Sequence, residues 1–86
     1  MKRIIESEEL SGLKALLGEN VLLLCANYFY SGKLAGVNMS CVELENPCIV
    51  YETGAWDNKA YTDVQKLHAK RWFVSTDSIE SYGPGK

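Results

Sequence analysis

The residues able to do chemistry are few. There are three cysteines, Cys25, Cys41 and Cys48, and one histidine, His68. No CxxC pair occurs, and His68 has no ligand-like neighbour, so no metal site is expected. An odd cysteine count without repeated spacing also argues against a disulfide framework. Cys25 and Cys41 fall in apolar runs and read as small buried hydrophobes. No Ser/His/Asp arrangement and no Gly-rich phosphate loop is present. The expectation is a protein that is not an enzyme and needs no cofactor. Binding chemistry is better represented. Trp56, Tyr61 and Trp72 offer ring faces on which bases or partner side chains stack. Lys59, and the group Lys66, Lys70 and Arg71, offer cations.

The elements that must position these residues follow from the pattern. Residues 7–17, SEELSGLKALL, place Leu10, Leu13 and Leu17 on one helical stripe, widened by Leu16. Ser7 is a suitable N-cap, Glu8 and Glu9 suit the positive end of the dipole, and Gly18 is placed to end the helix. So short a helix must pack its leucines on something. From Val21 the period changes to two. VLLLCANYFY is apolar on both faces, Val21, Leu23 and Cys25 on one and Leu22, Leu24 and Ala26 on the other. Such a strand is covered on both sides, and the preceding helix is the obvious cover.

YFYSGKLAGV is a second strand and CVELE a third, with the polar link NMS between them. Asn46-Pro47 interrupts the third strand, because proline lacks the ladder donor. CIVYE resumes it past a bulge or as a further strand. Residues 53–70 lack strong periodicity and read as a variable insertion containing a turn of helix near Thr62–Leu67. RWFVS and SIESY, within 71–82, are the last two strands, joined by the tight link TDS, and 83–86 is a frayed tail.

With 86 residues and a formal net charge of −2, a single domain spanning 1–86 is expected. A domain of this size buries only about 60% of its unfolded surface, so oligomerisation is the expected supplement to its stability. The acidic balance weighs against extensive phosphate neutralisation. No apolar run reaches membrane-spanning length. Cysteine usage and the absence of a span lead to a cytoplasmic expectation with no membrane partner.

One short helix followed by about five strongly bent strands resembles the Sm-like superfamily (Sm, LSm and Hfq proteins). SEELSGLKALLGENVLLL is similar to that family's helix, glycine and first strand. YFYSGKLAGVN is similar to its second strand, aromatic-x-G-x-L-x-G-hydrophobic-D. CVELEN resembles its third strand, and WFVSTDSIESY its paired fourth and fifth. The resemblance implies a mainly β fold: an N-terminal short helix plus a five-stranded, strongly bent antiparallel SH3-like or Sm-like barrel. In it Gly32 and Gly36 would relieve crowding where the sheet curls.

The resemblance further implies a cyclic homo-oligomer of about five to seven subunits, the fourth strand of one pairing with the fifth of the next. That would place Trp72, Phe73, Val74, Ile79 and Tyr82 at the subunit interface, with the domain's own core as the alternative for Trp72. It also points to a small accessory protein of bacterial or bacteriophage type.

The family's ligand loops map onto Asn38, Met39 and Ser40, and onto Ser75, Thr76 and Asp77. Here this sequence departs from the pattern. Asn38 stands where an Asp is usual, and the stacking and base-reading residues have only Met39 and Ser40 as equivalents. The cation of the second loop is missing, and Asp77 would put a ring of negative charge at the pore, which repels phosphate, unless it serves only as a turn residue. The reading is therefore a non-catalytic ring-forming protein acting by binding, toward RNA or a protein partner, outside the usual uridine-rich site. Trp56, Lys59 and Tyr61 form its second candidate surface, with packing of the long loop as the alternative for Trp56. A second reading is an oligomeric scaffold or inhibitor holding a small nucleotide-like ligand at subunit clefts.

Overall fold

Gly32 faces the place where the longest strand bends. Strand β3, Cys41–Glu52, runs straight through Asn46-Pro47 instead of ending there. Its pairing with β2, Phe29–Val37, carries the extra residue as a bulge, because Ser31 pairs with Cys48 but Lys33 pairs with Glu45. Asn46 takes a positive φ of 50°, and the Pro47 side chain is fully buried. A Cβ on Gly32 would stand 2.8 Å from the Glu45 carbonyl oxygen and 3.2 Å from Leu44 Cβ. Only glycine admits that approach. At Gly36 a Cβ would meet nothing nearer than Glu43 Cβ at 3.6 Å, an ordinary contact. The curl attributed to both glycines thus depends sterically on Gly32 alone.

The computed structural model describes residues 11–86. It is mainly β: one antiparallel sheet of six strands and one short helix. Helix α1 is Ser11–Lys14, shorter than the stripe predicted, and the expected cap and acidic turn, Ser7 to Glu9, together with Leu10, lie outside the described residues. Leu13 is buried and Leu16 packs against the core, whereas Leu17 is exposed, so the apolar stripe passes through Leu16. The helix ends at Lys14 and not at the predicted stop; Gly18, with φ of +88°, closes the turns that follow it and donates its N–H to the Leu34 carbonyl. These turns lead into β1, Asn20–Cys25.

The six strands are arranged as β4-β3-β2-β1-β6, with β5 also on β3. Strand β4, Asp63–Lys66, pairs with the second half of β3, Val50 facing Val64 and Cys48 facing Lys66. Strand β5, Arg71–Ser75, pairs with the first half, Glu45 facing Arg71 and Cys41 facing Ser75. Together they line one edge of β3 from end to end, broken only opposite the bend. There the Leu67 N–H reaches the Pro47 carbonyl at 3.0 Å. The helical turn expected near Thr62–Leu67 is therefore a strand, and it divides the insertion of 53–70 into a loop over 53–62 and a short link over 67–70.

Strand β6, Ile79–Pro84, pairs with β1 and follows β5 after a three-residue 3₁₀ turn, Thr76–Ser78. This short link has a geometric consequence. In a flat sheet β5 and β6 would lie four interstrand steps apart, at least ~19 Å. A 3₁₀ turn of three residues carries the chain only about 8 Å. The sheet must curl to bring its two ends together. It does not close into the expected five-stranded barrel, since no ladder among the described residues joins β6 to β4 or β5. Nor is the segment 83–86 frayed: Gly83 and Pro84 belong to β6, and the Gly85 N–H bonds the Asn20 carbonyl at 2.9 Å.

The concave side holds the core. Val21, Leu23 and Cys25, one of the two apolar faces of β1, pack with Leu13, Leu34, Val42, Leu44 and Val74.

The bend makes a direct prediction. Gly32→Ala should destabilise by about 1–3 kcal/mol, the usual cost of overpacking. Gly36→Ala should be neutral or stabilise by up to about 1 kcal/mol, because it only removes glycine's entropy. Urea denaturation of both variants measures the contrast, and equal losses would contradict the assignment of the bend to Gly32.

Candidate functional site

The two loops singled out in the sequence do come together. Asn38 closes the β2–β3 hairpin: its Oδ1 accepts the Ser40 and Cys41 N–H groups at 2.7 and 2.9 Å. This is an Asx turn, the local role that suits Asn in a tight link. The 3₁₀ turn docks on it, with the Thr76 N–H on the Ser40 carbonyl at 3.0 Å and Thr76 Oγ1 donating to the Met39 carbonyl at 2.7 Å. Ser78 Oγ donates to the Ser75 carbonyl, again within the turn. Met39 stands out into solvent at 68% exposure, and Asp77 is exposed as well. The polar atoms of this pair of loops are thus largely used on one another. The Asn38 oxygen, at the position where the resemblance expects an Asp, is occupied by the backbone of its own turn.

The five residues expected at a subunit interface divide into two groups. Val74 is buried in the core of its own chain and Ile79 packs against that core, so neither side chain is free to face a neighbour. Trp72, Phe73 and Tyr82 are exposed, Phe73 by 58%. Trp72 and Phe73 lie on β5, at one end of the curled sheet, and Tyr82 on β6, at the other. Arg71 reaches Glu43 at 3.6 Å across the β3–β5 pair.

A second constellation lies on the loop 53–62, and the sequence indicated only part of it. Trp56, Lys59 and Tyr61 were expected there as a contact surface. Tyr61 instead turns inward and ties three parts of the fold together. Ser31 is buried on β2 and donates its single hydroxyl proton to the Val21 carbonyl at 2.8 Å. The Tyr61 hydroxyl, 3.1 Å away, must then be the donor to Ser31 Oγ. Tyr61 Oη in turn accepts the Lys86 N–H at 3.1 Å. The chain of donors runs Lys86 to Tyr61 to Ser31 to β1, so every buried polar atom in it is satisfied.

Lys86 was missed by the sequence reading, because nothing local distinguishes a lysine in GPGK. Its Nζ donates to the carbonyls of Thr53 and Ala55 at 2.7 and 2.8 Å and lies 3.4 Å from that of Ala60. It also lies over the rings of Trp56 and Tyr61, at 5.8 and 5.4 Å from their centroids. Trp56 is 69% exposed and so does not bury itself against the sheet as its alternative reading required. Beside this loop is a depression of about 450 Å³ bordered by Ser31, Asn46, Cys48, Lys59, Tyr61 and Lys86. It lies within one chain.

The cysteines are free. Burial pushes the thiols of Cys25 and Cys48 up from the ordinary value, offset only in part by the polar groups near them, Ser78 for Cys25 and the Ser31 backbone and Lys66 for Cys48. Both are less nucleophilic for it at neutral pH. Among the described residues no group of three His, Cys, Asp or Glu side chains is arranged to hold a metal. No helix among them is long and apolar enough to cross a membrane. No protein-family model matches the chain, and no curated protein matches it.

The donor chain through Tyr61 is testable. Tyr61→Phe leaves the Lys86 N–H without its acceptor and Ser31 Oγ without its donor. The expected loss is about 0.5–1.5 kcal/mol in urea denaturation, with faster amide exchange at Lys86. An unchanged midpoint would show that water replaces the hydroxyl at no cost.

Proposed function

We propose that the protein is a non-catalytic, ring-forming Sm-like protein that acts by binding, toward RNA or a protein partner, away from the uridine-rich site usual for that superfamily. The observation that carries the assembly is the state of the sheet's two ends. The outer edges of β5 and β6 have no strand partner among the described residues, yet they carry Trp72, Phe73 and Tyr82 in exposed positions. An open β edge with apolar side chains is a template for a further strand. The two edges belong to opposite ends of one curled sheet, so pairing β5 of one copy with β6 of the next is heterologous and closes a ring when the rotation permits.

The binding reading draws on the loops. Asn38, Thr76 and Ser78 spend their hydrogen bonds inside the 38–40 and 75–78 turns. Asp77 is the one charged side chain of those two turns, and it is negative. A ring of such turns disfavours a phosphate backbone. Ligand contact then falls to Met39 and to the aromatic and cationic residues of the 53–62 loop.

Light scattering tests the assembly. The proposal predicts a discrete oligomer at micromolar concentration, and a monomer would overturn it. Phe73→Lys, a charge on the β5 edge, should shift the mass toward smaller species while changing the stability of the single chain by no more than about 0.5 kcal/mol. Fluorescence anisotropy then separates the partners. RNA binding must weaken steeply with salt, and a preference for oligouridine over other homopolymers would contradict the reading of the loops.

A further inference from the structure

The contacts of Lys86 amount to a complete receptor for its head group. A primary ammonium has three N–H donors and no acceptor. Three carbonyl oxygens converge on Nζ, those of Thr53, Ala55 and Ala60, at 2.7, 2.8 and 3.4 Å. The rings of Trp56 and Tyr61 add two negative faces within 6 Å of the charge. No carboxylate pairs with Lys86 among the described residues, where Glu43–Arg71 is the ion pair present. Among the described residues the direct partners of the charge are carbonyl dipoles and ring faces.

The cage is held open by bonds that do not involve the ammonium. Gly54 takes φ of +71°, and its N–H bonds Glu52 Oε1 at 3.2 Å. The Asn58 N–H closes a turn on the Ala55 carbonyl at 3.0 Å, and the Thr62 N–H returns the loop to the Glu52 carbonyl at 3.0 Å. Tyr61 is fixed by Ser31. One wall, Trp56, is largely open to solvent, so the seat of the ammonium can be reached from outside.

We infer that the 53–62 loop is a binding site for a primary alkylammonium group, which Lys86 fills in cis and which a ligand ammonium fills once Lys86 is withdrawn. The chemistry is shared by a free polyamine and by a lysine side chain of a partner protein. A guanidinium is planar and distributes five donors over a wider fork, and a quaternary ammonium has no N–H for the carbonyls. Both should be rejected. With carbonyls and rings as its direct partners, the site should be less sensitive to salt than a surface ion pair. The inference stands independently of ring formation.

The experiment uses the full chain with Lys86→Met, which keeps the unbranched stem and removes the charge. Amide signals of residues 53–62 are followed by NMR while n-butylammonium, spermidine, Nα-acetyl-lysine amide, guanidinium and tetramethylammonium chlorides are added at constant ionic strength. The expected result is a saturable shift confined to the loop with the first three. The tighter of spermidine and Nα-acetyl-lysine amide then marks the polyamine or the lysine source. In the unsubstituted protein the same titration should require about tenfold more ligand, because Lys86 competes for the seat. No saturable shift, or an equal one with tetramethylammonium, overturns the proposal. A second measurement does not depend on the variant folding. In the unsubstituted protein, acylation by an N-hydroxysuccinimide ester should modify Lys86 about tenfold more slowly than the exposed Lys59 and Lys70. Equal rates would show that the cage does not hold the ammonium in solution.

Discussion

The close approach of Gly32 to the backbone of Glu45 and Pro47 is the contact on which the rest of this fold depends. It lets one long strand carry an extra residue and bend without ending. The bend divides β3 into two halves, and each half takes its own partner on the same edge, β5 on the first and β4 on the second. Without it a strand of twelve residues, Cys41–Glu52, would extend the sheet flat, and a three-residue link could not join β5 to β6. The burial of Leu23, Leu34, Val42 and Leu44 on one concave side is a consequence of the same curl. In a chain this short, few interactions are available to replace it.

The curl also decides what remains for function. It brings the 38–40 hairpin turn against the 75–78 turn, and their polar atoms satisfy one another. It leaves two strand edges carrying exposed aromatic side chains. It sends the connection between β3 and β4 across the sheet at Ser31, where Tyr61 anchors it and Lys86 fills it. The chemistry of the molecule therefore sits on its edges and on one loop, whereas the turns that the sequence marked as the ligand site serve mainly as structure.

Much of the architecture was legible because it rests on local signals. The period-two run from Val21 marked β1 as a strand apolar on both faces, and the TDS link gave the tight connection. Other features were not legible, because they are fixed by partners distant in the chain. DVQK has no alternation of its own and becomes a strand only because the second half of β3 offers it an edge. Gly32 and Gly36 look alike in sequence, and only the backbone opposite each one separates them. Val74 was expected at an interface and lies in the core, since an alternating strand does not announce which of its faces is buried. Lys86 gave no signal at all: its partners are three backbone carbonyls more than twenty residues earlier, which no side-chain pattern records.

The central claim is that β3 is one continuous bent strand with two different neighbours along a single edge. Cross-strand nuclear Overhauser contacts test it most directly. The account predicts backbone contacts of Leu44 with Trp72 and of Cys48 with Gln65, Lys66 or Leu67 in the same molecule, interrupted at Asn46-Pro47. Contacts placing residues 63–66 beside 41–45, or an unbroken ladder through Asn46 and Pro47, would contradict it.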